Sequence, residues 1–267
     1  ILLIGNFDGL HLGHQNLFNL ARKYKNKKNL KIGVITFDPI PKMFFNKNLN
    51  NHKISNLNQK LNYFLKFNID FLIVKKFNKK FSKIKSFDFI KSILFKELSS
   101  KYIFVSNNFR FGNKREGDVK LLKSFENKFK YKIINPKPLT RNNKVISSTL
   151  IRALIAKGEI LKANQFLNRN WSIEGKVIYG RKLGRKIGFP TCNLNIGEYV
   201  IPKLGVYAVR VYLKNKKKHL RGIANLGYRP TFNQKKLLLE VNLFNFSGNL
   251  YNKNLRVEFL KFIRKEL

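Results

Sequence analysis

Residues 5–15 read GNFDGLHLGHQ. Gly5, Gly9 and Gly13 permit tight turns and close approach of backbone to a ligand. The segment follows an apolar run, Ile1–Ile4. It leads into Gly13–Lys28, where Leu17, Leu20, Ala21 and Tyr24 share one helical face. A helix N-terminus presents unpaired N–H groups and the positive end of the dipole, which suits phosphate. His11 and His14 stand three apart, and only four His occur in the chain. Two imidazoles there are expected to aim at one phosphate and to stabilise the pentacovalent centre of a nucleotidyl transfer. The competing reading is a glycine-rich turn with two solvent-facing histidines. FDG, HxGH and the strand–turn–helix context coincide and favour the phosphate site. Paired His also ligate zinc, but no nearby Cys or third His supports that, and Asp8 is thin support.

Further along, Ile146–Arg152 reads ISSTLIR at a predicted helix start. Ser147, Ser148 or Thr149 can cap the helix and also donate hydroxyls. Arg152 can fork onto phosphate from the first turn. Alone, the segment reads equally well as a cap. Beside the HxGH turn, both sit at C-terminal sheet edges, where ligands bind.

A second group lies in GRKLGRKIGFPTCN, residues 180–193. Gly180, Gly184 and Gly188 alternate with Arg181, Lys182, Arg185 and Lys186, a composition suited to an anion loop. Thr191 and Asn193 follow the rigid Phe189–Pro190, so a hydroxyl and an amide oxygen can meet a hard cation. By itself this stretch reads more simply as a basic turn entering a strand. Cys192 points the opposite way in an extended segment and serves as a small packing residue. Glu240 sits inside LLLEVNLF, with Leu238, Asn242 and Phe244 on its face. A carboxylate there is partly desolvated and suited to general-base work. The alternative is a structural Glu paired with one of the many cations.

These groups need elements to hold them. In the first half, apolar runs at Lys31–Phe37, Phe71–Val74, Tyr102–Val105 and Tyr131–Ile134 alternate with helical patterns at Asn58–Phe67, Ser86–Leu98 and Val119–Phe129. Such alternation predicts a parallel sheet covered on both faces. Ser148–Ile155 and Glu159–Leu167 read as two short helices. Around Trp171 the pattern changes. Val206–Leu213, Leu237–Phe244 and Leu255–Phe262 read as strands, and Gly and Pro punctuate the gaps, as at Gly222, Gly227 and Pro230. That predicts a small barrel or sandwich, with a domain boundary near residues 168–172. Lys214–Lys218 reads as a solvated hairpin turn.

Composition bounds the whole. The chain has 267 residues, 43% hydrophobic and with 25 Phe, enough to build cores and exclude a disordered chain. No stretch of about 18 apolar residues occurs, so no membrane span is expected. One cysteine excludes an internal disulfide and fits a reducing, cytoplasmic setting. The chain starts at Ile1 without Met, so a preceding segment is expected and an absent leader carries no weight. The net charge of +41 would attract nucleic acid. Its lysines are spread along the chain, however, and abundant Lys, Asn, Phe and Ile point to an A+T-biased genome. A basic nucleic-acid-binding protein is therefore kept only as the rival reading, and specific nucleic-acid or membrane binding is not expected.

The segments also carry a resemblance. GNFDGLHLGHQ, TFDPIPKMFF, VSNNFRFGNKREGD and ISSTLIR, in this order, resemble the adenylyltransferase half of the bacterial bifunctional riboflavin kinase/FAD synthetase family. GRKLGRKIGFPTCNL, GVYAVRV, GIANLGYRPTF, LEVNLF and LYNKNLRVEFLKFIRKE resemble its riboflavin kinase half. The resemblance implies an α/β nucleotidyltransferase-type Rossmann-like domain, 1–168, followed by a six-stranded antiparallel β-barrel domain, 169–267. It implies that ATP and riboflavin give FMN, and that FMN and ATP give FAD and pyrophosphate, with Mg²⁺. In the first half it assigns ATP contacts to Gly5, Phe7, Asp8, Gly9, His11, Gly13, His14, Ser148, Thr149 and Arg152. In the second half they fall on Gly184, Arg185, Gly188, Pro190, Thr191 and Asn193, the last two also holding the metal. Glu240 is the implied base for the ribityl 5′-hydroxyl, and Asn108 and Arg256 are the implied flavin contacts. Asp38 stands for a common Glu, Ser106–Asn108 for a Gly with acids, and Asn252 for a common Gly. The family continues into a C-terminal helix beyond Leu267. A member with one active half is the second alternative.

Overall fold

The computed structural model describes residues 1–141, 143–179, 191–213, 218–230 and 235–266. By contact the chain divides into two compact units, Ile1–Leu49 with Leu57–Ile146, and Asn50–Asn56 with Ser147–Leu267.

In the first unit, β1 (Leu2–Ile4), β2 (Gly33–Asp38), β3 (Phe71–Lys76), β4 (Tyr102–Phe104) and β5 (Lys132–Ile134) form a parallel sheet in the order β3-β2-β1-β4-β5. The sheet is parallel because helices carry the chain back between strands: α1 (Leu12–Lys28), α2 (Pro41–Phe45), α3 (Leu57–Leu65), α4 (Lys79–Ser82), α5 (Ser86–Asp88), α6 (Val119–Ser124) and α7 (Glu126–Phe129). Successive strand residues feed opposite faces. Leu3, Val34 and Phe104 join Leu17, Phe18 and Phe64 in one core. Leu2, Ile35 and Ile103 join Ile90, Leu94 and Leu122 in the other. Each such fully buried side chain contributes roughly 1.5–3 kcal/mol, so both faces are held.

Two expected helices differ. Ser86–Leu98 keeps α geometry only over α5 and continues as a π-helix, Phe89–Glu97, whose wider turn keeps Phe89, Ile90 and Leu94 buried. Val119–Phe129 breaks at Phe125, whose ψ of 3° leaves the helical region. A short ribbon, β6 (Thr140–Arg141) with β7 (Lys144–Val145), ends the unit.

The second unit opens with α8 (Ser148–Ala156) and α9 (Ile160–Leu167). Then β8 (Ser172–Ile178), β9 (Thr191–Asn195), β10 (Gly205–Leu213), β11 (His219–Pro230), β12 (Lys235–Leu243) and β13 (Asn254–Arg264) close into a barrel ordered β10-β11-β12-β9-β8-β13. Its interior holds Tyr207, Leu226, Leu239, Val241 and Phe259. Asn164 of α9 ties the helices to it, donating to the Phe259 carbonyl (2.9 Å) and accepting from the Trp171 N–H (2.7 Å). Residues 50–56 belong here as well: the His52 and Lys53 N–H groups donate to the Glu198 carbonyl, and Trp171 Nε1 donates to that of Ile54.

Sequence punctuation misled at β11. Gly222, Gly227 and Pro230 read as turn signals, yet all three lie within the strand. A Cβ at Gly222 would stand 2.2 Å from the Asn242 carbonyl oxygen, so glycine there admits close approach rather than a turn. Asn252 takes φ +63°, the left-handed region that Gly favours and Asn tolerates.

Candidate functional site

The segment between β1 and α1 is a tightly pinned turn. Phe7 (φ +46°), Gly9 (φ +78°) and Leu10 (φ +34°) all take left-handed conformations. Such geometry in non-Gly residues persists only where surroundings over-determine it. Here the Gly5 N–H donates to the Ile35 carbonyl (3.1 Å) and the Leu10 N–H to that of Phe7 (3.2 Å). The Phe7 ring is 3% exposed and meets Phe18, Phe64 and His14 edge-on at 5.2–5.8 Å. The Asn6 carbonyl accepts from Thr36 Oγ1 and from Lys60 Nζ, each at 3.1 Å.

His11 forms the N-cap of α1 without a side-chain cap bond, and no acidic residue stands in the first turn. The first turn thus leaves backbone N–H groups and the positive dipole end facing the Gly5–Leu10 turn. The His11 and His14 rings stack 3.6 Å apart at 24°, which sets the two imidazoles side by side at the helix start. Gly13 gives this arrangement room: a Cβ there would lie 3.1 Å from the His11 ring and 3.2 Å from the Ile146 carbonyl oxygen, a tight fit. Asp8 is buried beneath the turn. Asn108 stands exposed past β4, at the same C-terminal sheet edge, accepting from Ser106 Oγ at 2.9 Å.

Lys60, which the sequence reading missed, is 3% exposed and also donates to Thr36 Oγ1 at 3.1 Å. Its signal was present: it lies on the face of α3 that carries Leu57 and Phe64.

In the second unit, the cap of α8 is Ser147, whose Oγ accepts the Leu150 N–H at 3.2 Å. Ser148 and Thr149 are thus first-turn residues rather than caps. Arg152 Nε donates to the His52 carbonyl at 2.7 Å, which orients its guanidinium.

Around the barrel, register does what sequence spacing cannot. Glu240 pairs with Asn193 across β12 and β9, and with Asn225 across β12 and β11. Asn242 pairs with Thr191. Directly opposite residues share a face, with Cβ atoms about 4.5–5.5 Å apart. Since Cys192, Leu194, Leu239 and Val241 are buried inside, alternation puts Thr191, Asn193, Asn225 and Glu240 on the outer face. The Asn193 side chain is covered, and its Oδ1 has no hydrogen-bond partner among the described residues. An orphaned, buried acceptor oxygen next to a carboxylate and a hydroxyl fits a hard cation.

Glu240 Oε2 accepts from Arg229 Nε (3.0 Å) and Nη2 (2.8 Å). Arg229 Nη1 also donates to Glu266 Oε1, which accepts from Asn225 Nδ2 at 3.0 Å. The Glu240 hydrogen bond raises the Arg229 pKa above its ordinary value. For Glu266, burial pushes upward, but the bonds from Arg229 and Asn225 outweigh it and hold the carboxyl below its usual range. Beside β9 opens a cavity of about 540 Å³ lined by Val177, Thr191, Cys192, Val241, Leu250 and Tyr251. Burial pushes the Cys192 thiol up to about 12, in keeping with a packing role.

Two groups of expected residues are not gathered here. Arg256 lies on β13, three strands from β12 by either way round the barrel. It stacks on Tyr212 at 4.2 Å and is in register with Glu174, so the structure does not bring it to Glu240. Gly184, Arg185, Gly188 and Pro190 lie outside the described residues, as does most of Lys214–Lys218. Among the described residues, no three of His, Cys, Asp or Glu are grouped to hold a metal. No described helix is long and apolar enough to cross a membrane.

A family model described as FAD synthetase matches residues 1–150, and one described as riboflavin kinase matches residues 167–267. A bifunctional riboflavin kinase/FMN adenylyltransferase of Buchnera aphidicola is 40% identical over 266 residues, covering 98% of this chain and 85% of that protein. Its Escherichia coli K12 namesake is 35% identical, covering 100% and 85%. A crystal structure from Streptococcus pneumoniae described as a macrolide-efflux protein superposes with a TM-score of 0.87 at 29% identity, covering 100% of this chain and 86% of that one.

Proposed function

Because the chain belongs to the bifunctional riboflavin kinase/FMN adenylyltransferase family, we propose that its two reactions are carried by the two residue sets just described. The protein phosphorylates riboflavin with ATP to FMN, and adenylylates FMN with ATP to FAD, releasing pyrophosphate. For the residues, the observation that carries the kinase reading is the outer-face pairing of Glu240 with Asn193.

In the kinase reaction, Glu240 accepts the ribityl 5′-hydroxyl proton. The hydroxyl oxygen bonds to the γ-phosphorus as the bond to the bridging oxygen breaks, and ADP leaves. The hydroxyl is a poor nucleophile until its proton has an acceptor, and a positioned carboxylate supplies one. Thr191 and Asn193 would hold Mg²⁺; the unpaired Asn193 Oδ1 supports this. When bound, the ion neutralises phosphate charge. Gly184, Arg185, Gly188 and Pro190 keep their assignment as ATP contacts on motif alone.

In the adenylyl transfer, the turn Gly5–Leu10 and the start of α1 receive ATP phosphate. His11 and His14 donate hydrogen bonds to charge that develops at the α-phosphate. The start of α1, with His11 as N-cap and the His11 and His14 rings stacked there, supports this reading. We carry phosphate contacts to Ser148, Thr149 and Arg152 by motif, and a flavin contact to Asn108. On function we keep the division at 168/169, although α8 and α9 pack with the barrel. The +41 charge is read as compositional. RNA and duplex DNA should then bind without sequence preference, with affinity falling steeply as salt rises. A reducing cytoplasm is the setting that one buried thiol fits.

The test is to incubate the protein with riboflavin and Mg-ATP and resolve FMN and FAD chromatographically. Both products are expected, and chelation should stop both. FMN alone would mean that the first half is inactive.

A further inference from the structure

Glu240 stands on the outer face of β12 with its carboxylate in a defined place, although a glutamate on an open strand face has three free torsions. Both the Nε and Nη2 of Arg229 converge on one oxygen, Oε2 (3.0 and 2.8 Å). The other oxygen, Oε1, takes no hydrogen bond among the described residues. Arg229 is itself held. Its Nη1 donates to Glu266 and, at 3.2 Å, to the Tyr228 carbonyl. Glu266 arrives from beyond β13 and is fixed in turn by Asn225 Nδ2 (3.0 Å). The Glu266 carboxylate lies over Gly227, in space that a Cβ there would enter. Arg229 and Asn225 of β11 and Glu266, from the segment after β13, thus form one network that ends on the Glu240 carboxylate of β12.

We infer that Arg229, anchored by Glu266, is a positioning residue that fixes the Glu240 carboxylate for proton abstraction in the kinase reaction. The inference rests on the reading of Glu240 as the base. A rigid guanidinium fork fixes a carboxylate's orientation as well as its place, which an ammonium point charge does not. Pinning Oε2 leaves Oε1 to take the hydroxyl proton. Glu266 has a second effect. A lone Arg⁺ against a base favours the base's charged form and weakens it as a proton acceptor. A second carboxylate on the same guanidinium shares that charge, so Arg229 orients Glu240 without fully neutralising it.

The experiment uses the full chain and measures riboflavin phosphorylation and FMN adenylylation on the same preparations. Arg229→Met should lower the phosphorylation kcat about 10–100-fold, the scale for losing a group that orients a reactive one. KM for riboflavin and ATP should stay within about two-fold, because the lost interaction acts in the transition state. Adenylylation should be unchanged. Arg229→Lys should recover little, and millimolar guanidinium should restore turnover in Arg229→Ala. Glu266→Gln keeps the side chain's size and one acceptor oxygen; it should cost less than Arg229→Met. In a Glu240→Gln background, Arg229→Met should cost nothing further, since residues acting as one unit are non-additive. Normal kcat in Arg229→Met, an equal further loss in the Glu240→Gln background, or no guanidinium rescue would overturn the inference. Normal turnover in Glu240→Gln alone would instead overturn the base reading beneath it.

Discussion

In the first unit the groups assigned to phosphate lie within ten consecutive residues, Gly5 to His14, and the backbone itself does much of the positioning. In the barrel, Asn193, Asn225 and Glu240 come from three strands and meet only through register. A turn of this kind tolerates change elsewhere in its sheet but not in its own glycines. A row across strands tolerates local change but fails when any pairing slips, because a one-residue shift sends every side chain to the other face.

The largest expected effect separates the two regions by chemistry. Glu240→Gln should lower riboflavin phosphorylation by about 10²–10⁴-fold, the range for general-base removal. FMN adenylylation should persist, and thermal stability should change little. A fall in melting temperature with kcat kept would make Glu240 a structural ion-pair partner of Arg229.

Next comes the mirror experiment. His14→Ala should lower FAD formation about 10²–10³-fold, the scale of one lost charge-stabilising donor, while FMN still accumulates. Equal loss of both products from a folded protein would erase the distinction between the regions.

A third change attacks register rather than chemistry. Gly222→Ala puts a Cβ 2.2 Å from the Asn242 carbonyl oxygen. Relieving that overlap should cost about 1–3 kcal/mol and displace β11 from β12, which carries Glu240. Denaturant melts and the phosphorylation rate should fall together. Gly13→Ala, with contacts of 3.1–3.2 Å, should spare stability more and depress FAD formation through His11.

The smallest effects are on pH. In the first unit, the Lys25 hydrogen bond and then the Ile32 N–H hold Asp70 below its usual range. That contribution is present above the unfolded pKa and is lost as pH falls through the folded one. In the barrel, burial pushes Cys192 to about 12 from 9.0. Its contribution is complete below about pH 9 and is lost as pH rises toward 12. Asp70→Asn should flatten the acid limb of stability and Cys192→Ala the alkaline limb. Iodoacetamide at pH 8 should modify Cys192 only after unfolding.

Local pattern carried the parallel sheet, because β1, β2 and β4 are continuous apolar runs and α1 shows its face at helical spacing. It also carried the GNFDGLHLGHQ turn, because glycine positions, the helix start and both histidines are contiguous. In the barrel β10, β12 and β13 were legible, and β9 only as the strand that the basic turn enters. The strand β8 was hidden because its pattern is weak, and β11 because its glycines serve close strand approach and look like turns.

Some assignments no spacing could make. The pairing of Glu240 with Asn193 spans 47 residues and exists only once β9 and β12 bond. The Arg229–Glu266 clamp needs the segment after β13 to return over β11. The separation of Arg256 from Glu240 is set by closure of the barrel, which puts β13 on the far wall. Residue types and contiguous motifs are properties of the chain, and they determined the family and the contiguous Gly5–His14 turn. Which outward side chains share a face, and which partner holds each, depends on non-local hydrogen-bond register, and only the tertiary structure decided it.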